Sequence, residues 1–129
     1  MDLASRAIAV LVSGHTAVGA LHGTAHFIVG VIQPVADLAY ITAVIFAAPL
    51  AAVLLRLRGT QRRGDWLLLL SMIGSLAYGV GNHFILTGPD RAWGVSPGAW
   101  GGVFQATAAL LAAVETLGLV LALGALRRA

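Results

Sequence analysis

The sequence predicts an all-α fold, an integral membrane four-helix bundle running up-down-up-down, and three observations carry that prediction. Hydrophobic residues fill 59% of the 129 positions and charged residues only 10%, against about a quarter charged in an ordinary soluble domain. Four apolar runs, residues 5–32, 36–55, 66–86 and 100–126, each reach the roughly 20 residues that a spanning helix needs. All eight arginines lie at or beyond the ends of those runs, and there is no lysine. The whole chain, 1–129, therefore reads as a single four-helix transmembrane domain.

The first run follows Arg6 and resembles the start of a signal peptide, but it continues well past the ~7–15 residues of a signal core and carries histidines, so it is expected to be a mature helix. Gln33, Pro34 and Val35 then form a tight turn, with Asp37 expected as the N-cap of the second helix. Pro49 is expected to kink that helix and to free the carbonyl of Ile45. The connection over residues 56–65 holds four arginines and is the only strongly charged segment. The third connection, residues 88–99, contains Pro89, Trp93 and Pro97 and is long enough to cover one end of the bundle. Short connections make successive helices antiparallel neighbours and set the first and third diagonally across the bundle.

Arginine placement sets the expected orientation. With four spans, Arg6, Arg56, Arg58, Arg62, Arg63, Arg127 and Arg128 share one side and Arg91 alone stands on the other. Positively charged flanks stay in the cytoplasm, so both termini are expected there, in a multi-pass protein of the plasma (inner) membrane.

The chemistry-bearing residues are histidines. His15, His22 and His26 are spaced seven and four apart, which places them within about 40° of one line along the first helix. Polar groups facing lipid are costly, so this stripe should face the bundle interior. Gly19, Gly23 and Gly30 flank it, and with Gly79 on the third helix, Gly19 and Gly23 are expected to leave room for a cofactor. His22 and His83 each lie 17 residues beyond the start of their spans, about 25 Å deep at helical rise, so His22, His26 and His83 share a level. On the fourth helix, counted from its far end, Gln105 falls near the level of His26 and Glu115 near that of His15. Two polar layers follow. The outer holds the three histidines and Gln105, with Asp37 or Tyr40 nearby; the inner is a His15–Glu115 pair. Ser71, Ser75, Tyr78 and Asn82 form a separate polar line on the third helix, about 100° from His83, so in a regular helix Asn82 and His83 cannot both face the first.

Imidazole is the commonest biological metal ligand, and histidines at i and i+4 can reach one ion. His22, His26 and His83 thus point to a transition-metal site for Cu, Zn, Fe or Ni, completed by Gln105, a carboxylate, water or Asn82. The haem reading places a haem b between diagonal helices, ligated by His83 and either His22 or His26. Three histidines on one helix and one on another argue against two bis-histidine haems. The absence of cysteine excludes thiolate sites and disulfides. No phosphate loop, nucleophile elbow or catalytic triad is present, and no basic face remains for nucleic acid.

These features support electron transfer, metal handling or redox chemistry. Two other readings stand beside that one. In the first, the chain is a non-catalytic subunit of a larger membrane complex, whose histidines pack or meet a partner's cofactor. In the second it is a small proton or ion conduit using His15 and Glu115. The expected partners are the lipid bilayer and either other membrane subunits or further copies of the chain.

Overall fold

The structure, a computed structural model, describes residues 2–95 and 97–128. Among them are four helices long and apolar enough to cross a membrane: α1 (Leu3–Ile28), α2 (Val35–Leu57), α3 (Gln61–Ile85) and α4 (Ala99–Leu126). A single 3-10 turn, Ala92–Gly94, sits in the α3–α4 connection.

Helix α1 begins and ends on local signals. The Asp2 side chain accepts the backbone N–H of Ser5 at 2.6 Å, an N-cap. At the other end, Val31 N donates to His26 O and Gly30 N to Phe27 O, with Gly30 at φ +78. This is a Schellman ending, and it needs a residue free of Cβ strain at the left-handed position. Gly30 therefore stops the helix four residues short of the expected end instead of flanking the histidine stripe. Arg56, Gly59 and Thr60 close α2 by the same pattern. The N-cap of α2 is Pro34, and Asp37 sits one turn inside, where a carboxylate favours the helix dipole without capping it.

Two π-helical stretches widen the spans. Ile41–Ala47 precedes Pro49, whose ring cannot accept a regular turn against the carbonyl of Ile45. Gly81–Ile85 closes α3, with Leu86 N donating to Gly81 O at 2.8 Å.

End contacts define the direction of each helix. Asp2, Ser5, Arg56, Gln61 and Asp65 meet at one end, while His26, Gln33, His83 and Asp90 meet at the other. Successive spans thus run in opposite directions, and α4 packs between α1 and α3. The apolar core lies toward the arginine-rich end, built from Ile8, Leu11, Val12, Leu68, Met72 and Ala122. Close approach is tight there: a Cβ at Gly118 would stand 2.7 Å from Met72 Sδ, and one at Gly64 2.7 Å from the Ala52 carbonyl oxygen. Such small-residue positions let the helices approach closely. The opposite half carries the histidine cluster and a cavity.

Candidate metal centre

Three side chains from two helices converge in the polar half. His22 and His26 lie one turn apart on α1, so their rings reach the same level. His83 comes from α3, and the π turn explains how. In a regular helix His83 would stand about 80° from Ser75 and about 120° from Ser71; the π stretch, with more residues per turn, reduces that offset, and all three side chains are buried. Both polar features of α3 therefore point inward, which a uniform helix forbids. Asn82 is turned aside, donating its amide to the carbonyl of Tyr78 at 3.0 Å.

The Nε2 atoms face one another. His22 Nε2 stands 3.1 Å from His83 Nε2 and 3.1 Å from His26 Nε2, and the three ligand atoms all lie within 4.8 Å. Two nitrogens held at ~2.0–2.1 Å from one tetrahedral ion stand about 3.3 Å apart, close to these separations. The His22 and His83 side chains are buried and His26 is half-buried. All three rings pack on the fully buried Phe104 of α4, with centroids at 4.9, 4.7 and 5.4 Å.

The opposite ring nitrogens decide the tautomers. His83 Nδ1 donates to the backbone carbonyl of Asp90 at 2.7 Å. His22 Nδ1 lies 2.8 Å from Thr107 Oγ1, whose own hydrogen goes to Val103 O at 2.6 Å, so the threonine oxygen must accept. His26 Nδ1 faces two acceptors, Val31 O at 3.4 Å and Asp90 Oδ1 at 3.3 Å, and one donor, Gln33 Nε2, at 3.4 Å. The Nδ1 atoms of His22 and His83 thus carry the proton in the neutral ring, and their Nε2 atoms present bare lone pairs to each other, with His26 Nε2 beside them.

Asp90 is fixed by Gln33 Nε2, which donates to Oδ2 at 2.8 Å. Its Oδ1 has no aligned hydrogen bond among the described residues but stands 3.3 and 3.9 Å from His26 and His83 Nδ1. A carboxylate behind ligand imidazoles raises their basicity.

Other candidates lie elsewhere. Gln105 does not join the cluster: its amide donates to the carbonyl of Ala92 at 2.9 Å, pinning the α3–α4 connection over the site. Tyr40 stacks on Tyr78 with centroids 5.1 Å apart, and Asp37 remains in the first turn of α2, so neither reaches the histidines by a hydrogen bond among the described residues. Gly19 is filled by a neighbour, since a Cβ there would meet Phe46 at 2.9 Å. Gly23 has no atom of the described residues within 4 Å of such a Cβ, and Gly79 only Glu115 Oε2 at 3.9 Å. In the inner layer His15 Nε2 lies 3.2 Å from Glu115 Oε1, both buried.

Asp90, Thr107, Gln33 and Phe104 were not singled out by sequence reasoning. Asp90 alone carried a signal, as the one acidic residue of the third connection. Thr107 and Phe104 are ordinary residues for a membrane helix, and only the packing of α4 on α1 gives them a role.

Comparisons with protein families, with curated proteins and with solved structures find no match for this chain. Fold and site together define an all-helical protein with four candidate membrane spans and a histidine cluster able to hold a metal ion.

Proposed function

We propose that this protein binds one transition-metal ion within the membrane through Nε2 of His22, His26 and His83, for metal handling, electron transfer or redox chemistry. The observation that carries the reading is the convergence of three Nε2 atoms, two of them, on His22 and His83, left bare by an acceptor that holds the proton on the far side of the ring. Lone pairs at this distance repel unless a cation lies between them. Ligand histidines of metal sites have the same outer arrangement, donating their second N–H to a carbonyl or carboxylate. The all-nitrogen set suits Cu, Zn, Ni or Fe. Three protein ligands leave a coordination position open, as in reactive sites rather than structural ones.

Haem b fits less well. Axial nitrogens stand on opposite faces of the ring, about twice a metal–nitrogen bond or ~4 Å apart, whereas 3.1 Å separates His22 Nε2 from His83 Nε2. Phe104, moreover, packs against all three imidazoles.

In this reading the arginine-rich end faces the cytoplasm of a multi-pass plasma-membrane protein, following the positive-inside rule. A proton or ion conduit remains the second reading, favoured by one observation: Glu115 lines the same cavity as the histidine cluster.

The test is metal content with an absorption spectrum, on protein purified in mild detergent after expression with ample metal and haem. Wild type should carry close to one ion per chain, with no Soret band. His83→Ala should lose it, because the other three histidines of the chain all lie on α1. His15→Ala should retain it. Equal occupancy in wild type and His83→Ala would overturn the reading.

A further inference from the structure

We propose that the cavity beside the histidine cluster binds a membrane-soluble amphiphile, a molecule with a hydrocarbon body and one oxygen-bearing head, whose head takes the open position on the ion. The inference rests on the metal-binding reading above and names what that site acts on.

The cavity measures about 430 Å³, within the roughly 300–1,000 Å³ of small-molecule sites. It exists because α2 leans away from α1 in its first half. The two helices pack mainly through Ala48–Leu57, while Ile41–Ala47, the π stretch, packs against α3. The Phe46 ring, seated on Gly19, bridges the gap near its lower edge.

The polarity of the walls is graded. Ile41, Ile45 and Leu111 make the sides. Ala20, Phe27 and Leu38 line the cavity and are exposed, which marks its mouth between α1 and α2. In a spanning bundle that exposed surface meets lipid, so the mouth opens sideways into the bilayer. An ion or a strongly hydrated solute would have to desolvate to arrive that way; an apolar body would not.

Polar groups are gathered at the inner wall. The histidine cluster, Ser75 and Glu115 all line the cavity. Ser75 is fully buried, and its hydroxyl has no partner among the described residues. A buried hydroxyl left unpaired costs roughly 1–3 kcal/mol, and a ligand oxygen beside it removes that cost. A borderline metal with three imidazoles accepts an oxygen donor as its next ligand. One molecule with an apolar body and an oxygen head satisfies the mouth, the walls and the inner end together.

The experiment uses the full chain in dodecyl maltoside, loaded with Co²⁺, whose visible bands report coordination. Decanoate is titrated in, with acetate as a control carrying the same head and no body. Decanoate should shift the bands at a concentration at least tenfold below that needed with acetate. Ala20→Trp, which narrows the mouth without touching a metal ligand, should keep the cobalt bands and erase the preference. Cobalt bands that decanoate leaves unmoved, or that both acids move equally, would overturn the inference while leaving the metal site intact. Absence of cobalt bands from the untreated wild type would overturn the metal reading and this inference with it.

Discussion

Thr107 decides which nitrogen of His22 is bare, although it touches no metal position. Its hydroxyl hydrogen is committed to Val103 O, so its oxygen can only accept from the imidazole. Thr107→Val keeps the side-chain shape and removes the acceptor. Metal affinity should fall about 10–100-fold, measured by competition with a chromophoric chelator, while the helical signal persists. Asp90→Asn should cost less, because the backbone carbonyl that orients His83 remains and only the charge behind His26 is lost. Protons compete with the ion for every Nε2, so binding should also weaken on acidification. At the far end, the Asp2 carboxyl is held below its ordinary 3.8 by the backbone N–H of Ser5, then the Ser5 hydroxyl, with Arg56 adding attraction. Its folded value is depressed, so its contribution is present above 3.8 and disappears as pH falls through the lower folded value. Asp2→Ala should flatten that acid limb of a thermal-stability profile. The histidine pair of α1 was legible from spacing alone, but Thr107 was not, because a threonine on an apolar helix carries no pattern.

At the scale of elements, the π turn of α3 determines whether a site forms. Inserting one alanine after Gly81 should rotate His83 about 100° away from His22. The bundle should still assemble, since its apolar core lies in the other half, but bound metal should be lost. An insertion variant with full occupancy would show that this register has no such role. The joint between α2 and α3 makes a second case. Arg56 and Asp65 form a buried ion pair, and Arg56 Nε and Nη2 also donate to Ser5 Oγ at 3.2 and 3.1 Å. Asp65→Asn leaves the buried guanidinium only the half-exposed Asp2 carboxylate at 3.7 Å and should cost on the order of 3 kcal/mol. Arg56→Met combined with Asp65→Leu should recover much of that, read from thermal unfolding in detergent. In the sequence Arg56 is one of four arginines in the connection over residues 56–65. Its neutralisation by a residue nine positions away depends on the hairpin bringing both to one point.

Across the whole molecule, the two halves of the bundle are divided by task. Apolar packing and the ion pair hold the arginine-rich half, while the other half spends its interior on histidines and a cavity. Arg6, Arg58, Arg62, Arg63, Arg127 and Arg128 remain exposed at the packed end, so the burial of Arg56 does not alter the charge asymmetry. Cysteines introduced at Gly94 and at Arg62, both exposed, test the orientation. An impermeant thiol reagent on intact cells should label the first, and the second only after lysis. The reverse pattern would place the metal site toward the cytoplasm.

The sequence by itself determined that there are four long apolar helices, though not all of their ends, with their antiparallel order and the shared level of His22, His26 and His83, because helical rise turns counting into depth. It also paired His15 with Glu115 by depth, and the structure brings the two within 3.2 Å. Rotation about the helix axis was a different matter. Asn82 and His83 competed for one direction until the wide turn at Gly81–Ile85 changed the residues per turn, a choice made by packing and not by any local pattern. Gln105 matched the site in depth, yet its amide went to Ala92 O once the third connection folded over the bundle. Asp90 came to the histidines by the same fold of the connection. Depth is a one-dimensional quantity that a helical sequence encodes directly; azimuth and the path of a loop are set by contacts between distant segments, and only the tertiary structure contains those.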